Sequence, residues 1–339
     1  MESRHYQAIL FEKIREAIPP SESLIDHLME TLSLSRDSGY RRLRNETSLT
    51  FDEAVKICNR YKISLNAISG QNEVSAVFTR LPSISCYEDY LTHNRHSLEM
   101  LKKIKSFKNH KMIYSAKDIP VFYQFAFPCL AAFKMYVWMK SVYDIKMLNG
   151  RNYSMEDLPE ELLSLAKEQW KVFSQINTIE IWNDTTVSSL LNQISYYFEA
   201  GLLSGKEAAL EICADFEEMM KVIYKQALTG EKVHANNPEV KSGAGCDLYY
   251  HEILIMNNHI LADLDEQRSL YFIPMSGVNY IHTSDDKILD NARNYLHSQT
   301  KKSALISDVS EKERNRFFLK IKNRIDHLKE RISSTELYA

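Results

Sequence analysis

Glycine and proline are scarce in this chain of 339 residues, which contains only 9 of the former and 8 of the latter. Turn-rich all-β folds need more of both, whereas the abundant leucine, glutamate, lysine and methionine favour long helices. The 44% hydrophobic and 26% charged residues indicate a soluble globular chain and argue against a disordered one. The length exceeds what one ordinary core accommodates, so we expect two or three domains.

Cysteine is also sparse, and its five copies are far apart, with no CxxC motif and no Cys/His ligand spacing. This pattern predicts buried thiols in a reducing compartment instead of disulfides or a metal site. The cysteines are Cys58, Cys86, Cys129, Cys213 and Cys246. We expect the protein to hold no metal and to use no cofactor.

Long apolar runs are missing, since no stretch approaches the ~20 uninterrupted apolar residues that a membrane span requires. The most apolar segment, residues 119–139, is interrupted by Pro120, Gln124, Pro128 and Lys134 and is predicted to be a buried helix. The first 14 residues carry charges within every apolar run, which argues against a signal peptide. We therefore expect no membrane partner and a cytoplasmic location.

The sequence also contains no Walker A, GxGxxG, GxSxG or HExxH motif, so no enzyme class gains a mechanism from it. His93 and His96 lie three residues apart, and we interpret them as surface histidines because no third ligand accompanies them. His251 and His259 lie on predicted strands and are interpreted as structural. We expect no catalytic residues, and an enzyme of unfamiliar type in the region of His251 and His259 stays open as an alternative.

The chain does contain apolar residues at helical spacing in four segments near its N-terminus, each followed by residues that end or cap helices. These segments predict helices over residues 7–17, 24–32, 36–44 and 51–61. Ser35 is predicted to cap the third helix. On that helix we expect Gly39, Tyr40 and Leu43 to face inward.

The segment LSLSRDSGYRRLRNE, followed by TFDEAVKICNRYKISLNAI, resembles the helix-turn-helix domain of the lambda-repressor-like (XRE) transcription regulators. The resemblance covers about the first 70 residues and includes the four-helix layout. It implies a helix-turn-helix domain at residues 1–72, with residues 36–45 as the recognition helix and KISLNAI as the closing segment. It also implies double-stranded DNA as a partner and a homodimer, because two half-sites require two recognition helices.

A helix in the major groove needs hydrogen-bonding side chains near its N-terminus for base edges and cations along its flanks for phosphates. The side chains predicted to contact bases are Arg36, Asp37, Ser38 and Arg41. Those predicted to contact the backbone are Arg42, Arg44, Asn45 and Thr47, and Ser35 completes the interface. Because the net charge is −3, this local face must supply the attraction to DNA. The alternative is an ordinary solvated face, since Asp37 and Glu46 partly offset the four arginines.

The chain as a whole is predicted to be mainly α, with an N-terminal four/five-helix helix-turn-helix domain, a helical middle region and a small C-terminal α+β module. The predicted domains after residue 72 are a connector with a basic helix at 73–116, a helical domain at 117–233 and an α+β regulatory or dimerisation module at 246–339. Ser310 opens the last helix with a capping-box pattern. The seven cations from Arg95 to Lys117 fit either a solvated helix end or a patch that contacts phosphate.

These features together predict a sequence-specific DNA-binding transcription regulator whose C-terminal region senses an unknown effector or mediates oligomerisation. Two alternatives stay open. One is an interaction module that uses the helix-turn-helix fold to dock a protein, such as a sigma factor or an antitoxin partner. The other is the enzyme of unfamiliar type in the C-terminal region.

Overall fold

The structure of the protein, a computed structural model, describes residues 6–65, 68 and 76–335. The chain divides into two compact units. The first unit contains Met1–Thr79 and Thr283–Ile288, and the second contains Arg80–His282 and Leu289–Ala339. Residues 66–67 of the predicted closing segment KISLNAI lie outside the described residues, as do residues 1–5 and 69–75.

The helices of the first unit confirm the four segments predicted from helical spacing, with bounds that agree within one residue. They are α1 (Tyr6–Ala17), α2 (Leu24–Leu32), α3 (Arg36–Leu43) and α4 (Phe51–Tyr61). Their apolar faces meet in one core that includes Leu10, Ile14, Leu28 and Ile57. Burial of each such side chain contributes about 1.5–3 kcal/mol, which holds the short helices together.

A mixed sheet forms the centre of the second unit. Its described strands are β1 (Thr79–Arg80), β2 (Lys111–Ser115), β3 (Asn177–Trp182), β4 (Glu231–His234), β5 (Asn237–Tyr250), β6 (His259–Asp263), β7 (Ser269–Ser276), β8 (Asn279–Thr283) and β9 (Ala304–Leu305). Eight of these nine strands follow the order β1-β8-β7-β6-β2-β3-β5-β4, and β9 pairs with β5 outside this path. Strand β3 pairs in parallel with β2 and β5, while β6 is antiparallel to both β2 and β7.

Helices pack against this sheet, and their buried side chains share one apolar core with those of the strands. They are α5 (Tyr87–Lys105), α6 (Val121–Gln124), α7 (Pro128–Val137), α8 (Glu160–Phe173), α9 (Ser188–Glu199), α10 (Lys206–Thr229), α11 (Asp286–Lys301) and α12 (Glu311–Ser334). A π-helical turn, Trp138–Val142, continues α7, and 3₁₀ turns occupy Lys146–Leu148 and Met155–Asp157. None of the helices that the structure describes has the length and apolar character needed to cross a membrane.

The prediction of a mainly α protein with a helical middle region and a small C-terminal α+β module was wrong. The sheet is extensive, and its central strands β2 and β3 come from segments predicted as a connector and as helical bulk. Strand β3 has buried residues on both faces, so it lacks the alternation of apolar and polar residues that reveals a half-buried strand. The antiparallel strands β6 to β8, by contrast, lie where a small sheet was predicted.

The start of α12 also differs from its prediction. Ser310 has a φ of 53° and makes no capping hydrogen bond with its side chain, so the capping box is not formed. Instead, the buried Arg314 donates hydrogen bonds to the carbonyl oxygens of Ile306 and Val309 at 3.0 and 2.9 Å. These bonds hold the chain where it enters the helix.

Candidate nucleic-acid interface

A short turn joins α2 to α3 and sets the direction of α3. Ser33 ends α2 in the left-handed conformation with a φ of 55°, and the Leu34 N–H donates to the carbonyl oxygen of Met29 at 3.1 Å. Ser35 is extended, and its Oγ accepts a hydrogen bond from the Ser38 N–H at 3.4 Å, which confirms it as the cap. α2 and α3 are therefore consecutive helices joined by a short turn from Ser33 to Ser35.

Gly39 brings α3 close to α2. A Cβ atom at this position would lie 2.6 Å from Ile25 Cδ1, well inside the distance of ~3.5–4.0 Å at which carbon atoms pack. Gly39 is buried and Leu43 packs against the core of the first unit. Because these two residues are four apart on one helical face, the opposite face of α3 points to solvent.

That exposed face contains most of the side chains predicted to contact DNA. Arg36, Asp37, Arg41 and Arg44 are exposed on α3 or at its end, together with Ser35 and Asn45. Ser38, Arg42 and Thr47 are only partly exposed. The face therefore combines three exposed guanidinium groups with a carboxylate, which suits both phosphate attraction and hydrogen bonding to base edges.

The expectation that Tyr40 faces inward was wrong. Its side chain is 37% exposed, and the Cζ atoms of Arg36 and Arg44 lie 6.0 and 5.8 Å from its ring centroid. Both distances are at the outer limit for a cation–π interaction. The sequence does carry a signal for this arrangement, because residues four apart on a helix are neighbours.

Arg42 is engaged within the first unit. Its Nη2 lies 2.7 Å from Glu53 Oε1 on α4, and its Nη1 donates to Ser38 Oγ at 2.9 Å. Partial burial raises the pKa of Glu53, but hydrogen bonds from Thr50 and Arg42 outweigh that effect and hold the pKa below its usual value. The Arg42 guanidinium, which was predicted to contact phosphate, is thus already bound to Glu53 and Ser38.

Gln7, which the sequence did not single out, holds the loop after α3. Its Nε2 donates to the carbonyl oxygens of Arg42 and Thr47 at 2.8 and 3.0 Å, and its Oε1 accepts from the Leu49 N–H at 2.7 Å. These partners are 35 to 42 residues away in sequence, so no local pattern could have revealed them. The bonds fix the backbone that follows the exposed arginines.

The remaining predicted residues lie in this same loop. Asn45 has a φ of 60° and its N–H donates to the carbonyl oxygen of Arg42 at 3.0 Å, which ends α3. Arg44 lies 3.3 Å from Glu46, and both side chains are largely exposed. An ion pair so exposed to solvent contributes little energy, so Arg44 can leave Glu46 for a phosphate at small cost.

The histidines of the second unit are packed among their neighbours. His251 is buried and its Nδ1 lies 3.0 Å from Ser303 Oγ. His259 is hydrogen-bonded to Tyr271, and its ring centroid lies 4.8 Å from that of Tyr295. Burial lowers the pKa of both rings. Such packed neutral rings are the arrangement expected of structural histidines.

The interpretation of His93 and His96 as surface residues was wrong. His93 is buried, with its Nε2 2.8 Å from the carbonyl oxygen of Pro82, and His96 is half-buried with its ring stacked on Tyr280. Within the part of the chain that the structure describes, no group of three or more His, Cys, Asp or Glu side chains is arranged to hold a metal ion.

The basic stretch after Arg95 does not form one patch. Arg95 pairs with Glu161, Lys102 lies 2.8 Å from Glu99, and Lys105 contacts Gln175. Three lysines of this stretch occupy the last turn of α5, where cations are stabilised by the carbonyl end of the helix. This placement favours the solvated helix end over a surface that contacts phosphate.

No protein-family model matches the chain, and comparisons with curated proteins and with solved structures also found no match. The resemblance to the lambda-repressor-like regulators therefore stays a prediction.

Proposed function

We propose that this protein is a sequence-specific transcription regulator that binds double-stranded DNA with α3 of its first unit. The observation that carries the proposal is the exposed face of α3, which follows a helix-turn-helix turn and contains Arg36, Asp37, Arg41 and Arg44. Arginine donates two hydrogen bonds to guanine, and a carboxylate accepts one from cytosine. The first unit thus has the donors, the acceptor and the charge that a major-groove helix needs.

The rigidity of this face supports the same function. Ser35 caps α3, Gln7 holds the following loop, and the ion pair between Arg42 and Glu53 joins α3 to α4. Side chains on a fixed backbone lose less conformational entropy on binding than side chains on a mobile one. The exposed arginines are therefore ready to bind without further ordering of their helix.

The proposal includes a homodimer in the cytoplasm, with two copies of α3 at half-sites separated by one DNA turn, ~34 Å. The second unit would then sense an effector or mediate assembly. A change in the spacing or mobility of the two α3 helices would change the affinity for DNA.

Charge reversal tests the DNA-binding step. We expect Arg41→Glu in the full chain to weaken binding to a random-sequence duplex pool by at least about tenfold and to reduce its salt dependence. The matched control is Lys56→Glu, which makes the same change of charge at an exposed position on α4. Unchanged affinity and salt dependence in Arg41→Glu would overturn the proposal.

A further inference from the structure

The most unusual feature of the exposed face is the aromatic ring between two arginines. Tyr40 lies one turn after Arg36 and one turn before Arg44, and both guanidinium groups approach its ring at 6.0 and 5.8 Å. Tyr40 is 37% exposed, so its ring is partly open to solvent beside these two side chains. The ring limits where two long side chains can go, because each guanidinium is attracted to the ring face.

Helix geometry separates the exposed residues into three rows. At about 100° per residue, Arg36, Tyr40 and Arg44 fall on one flank of α3. Asp37 and Arg41 lie at the centre of the exposed face, directly opposite the buried Gly39. The other flank contains Ser38 and Arg42. Arg42 donates a hydrogen bond to Ser38 and pairs with Glu53 of α4.

We infer that Tyr40 is a positioning residue that holds Arg36 and Arg44 against DNA phosphates, while Asp37 and Arg41 contact the bases. This inference rests on the proposed function and changes one part of the predicted interface, because Arg36 moves from base contact to phosphate contact. Arg36 and Arg44 are separated by eight residues, or about 12 Å along the helix axis. The two side chains therefore start from different turns of α3, and we expect each guanidinium to contact its own phosphate.

The physical reason for the ring is conformational entropy. An arginine side chain has up to about 2 kcal/mol of rotamer entropy to lose when it is fixed in a contact. The Tyr40 ring restricts both side chains before DNA arrives, so less entropy is lost on binding. At an exposed site we expect this restriction to increase affinity about two- to fivefold per guanidinium.

The test uses the full chain and a duplex that the wild type selects from a random pool. We expect Tyr40→Leu to reduce affinity about four- to twentyfold without changing the preferred sequence, and Tyr40→Phe, which keeps the ring, to restore it. Arg36→Gln and Arg44→Gln should each lower the slope of log affinity against log salt by ~0.9, again with the preference unchanged. Arg41→Gln is the contrasting variant and should relax the preference at one base position.

A combined variant tests whether Tyr40 acts through the two arginines. In the Arg36→Gln/Arg44→Gln background, Tyr40→Leu should have no further effect on affinity. A further loss there, or a changed sequence preference in Tyr40→Leu or Arg36→Gln, would overturn the inference while leaving DNA binding intact. A wild-type chain that selects no duplex would overturn the proposed function and this inference together.

Discussion

The second unit contains a fully buried ion pair, whereas the first unit has arginines that are exposed to solvent. In the second unit, Lys232 and Glu180 are 0% and 1% exposed, and Lys232 Nζ lies 2.7 Å from Glu180 Oε1. In the first unit, the guanidinium groups of Arg36 and Arg41 are exposed to solvent. Removing charges from water costs several kcal/mol per ion unless they are paired and hydrogen-bonded. The position of a charge therefore indicates whether it serves the fold or a ligand.

Both members of the buried pair form hydrogen bonds inside the core, and Lys232 donates to Tyr123 and Glu180. Glu180 accepts hydrogen bonds from Thr178 Oγ1 at 2.9 Å, Tyr123 Oη at 2.8 Å and Trp182 Nε1 at 3.1 Å. Burial raises the pKa of Tyr123, so its hydroxyl remains a donor at any physiological pH. Lys232 also lies 4.5 Å from the centre of the Tyr123 ring. These contacts join α6, β3 and β4 and are a feature of the fold.

The largest loss of stability should follow removal of the buried cation, Lys232. We expect Lys232→Met to lower the free energy of unfolding of the second unit by about 3–5 kcal/mol, because it leaves Glu180 buried without a counter-charge. All three tryptophans, Trp138, Trp170 and Trp182, lie in this unit, so urea unfolding followed by tryptophan fluorescence measures it. The double variant Lys232→Met/Glu180→Gln should lose less free energy of unfolding than Lys232→Met alone, because it leaves no unpaired buried charge.

The matched control for that experiment is an exposed ion pair of the same chemical type. Lys221 lies 2.8 Å from Glu218, and both side chains are more than half exposed. We expect Lys221→Met to cost less than about 1 kcal/mol. Equal losses in Lys221→Met and Lys232→Met would contradict the distinction between buried and exposed charges.

An intermediate effect should come from the half-buried pair between α3 and α4. Arg42 and Glu53 have side chains that are 12% and 18% exposed, so solvent screens their attraction in part. We expect Arg42→Met to destabilise the first unit by about 1–2 kcal/mol, between the values for exposed and buried pairs. Faster amide hydrogen exchange in α3 and α4, but not in the second unit, would measure this loss. Unchanged exchange in both helices would contradict it.

The same pair should make the first unit sensitive to acid. The pKa of Glu53 is lower in the folded chain than in the unfolded chain, where it is about 4.3. Its contribution to stability is therefore complete above pH ~4.3 and is lost as the pH falls through the lower folded value. We expect wild type and Glu53→Gln to differ in α4 exchange at pH 6 and to converge as the pH falls below the lowered pKa of the Glu53 carboxyl group. A difference that grows toward low pH would contradict the assignment.

The smallest effect on stability should come from the exposed arginines. We expect Arg36→Gln and Arg41→Gln to change the free energy of unfolding by no more than about 0.5 kcal/mol, although both weaken DNA binding. Thermal unfolding followed by circular dichroism measures the change in stability, and duplex affinity measured in parallel tests the weaker DNA binding. A loss of stability as large as that of Arg42→Met would show that these side chains serve the fold.

The two units also differ in how much of their secondary structure could be predicted from the sequence. The helices of the first unit were predictable because their apolar spacing and the cap at Ser35 are local signals. Strand β3 was not, because a short strand buried on both faces resembles a piece of buried helix. Strand β2 was not, because its five residues fall in a segment that was interpreted as a connector with a basic helix.

Within the candidate site, local sequence signals identified the exposed arginines, whereas the features that depend on long-range contacts could not be predicted. The pairing of Arg42 with Glu53 and the bonds of Gln7 join residues 11 to 42 positions apart. Tyr40 is 37% exposed because Gly39 and Leu43 are the residues of α3 that pack against the first unit, and this choice of face is a property of tertiary packing.

Selection of duplexes from a random pool by the full wild-type chain tests the central claim most directly. We expect enrichment of an inverted repeat whose half-sites are about one DNA turn, ~34 Å, apart. We also expect Arg41→Gln to change the enriched bases. A pool that shows no enrichment over its input would contradict the claim that α3 is a sequence-specific DNA-binding helix.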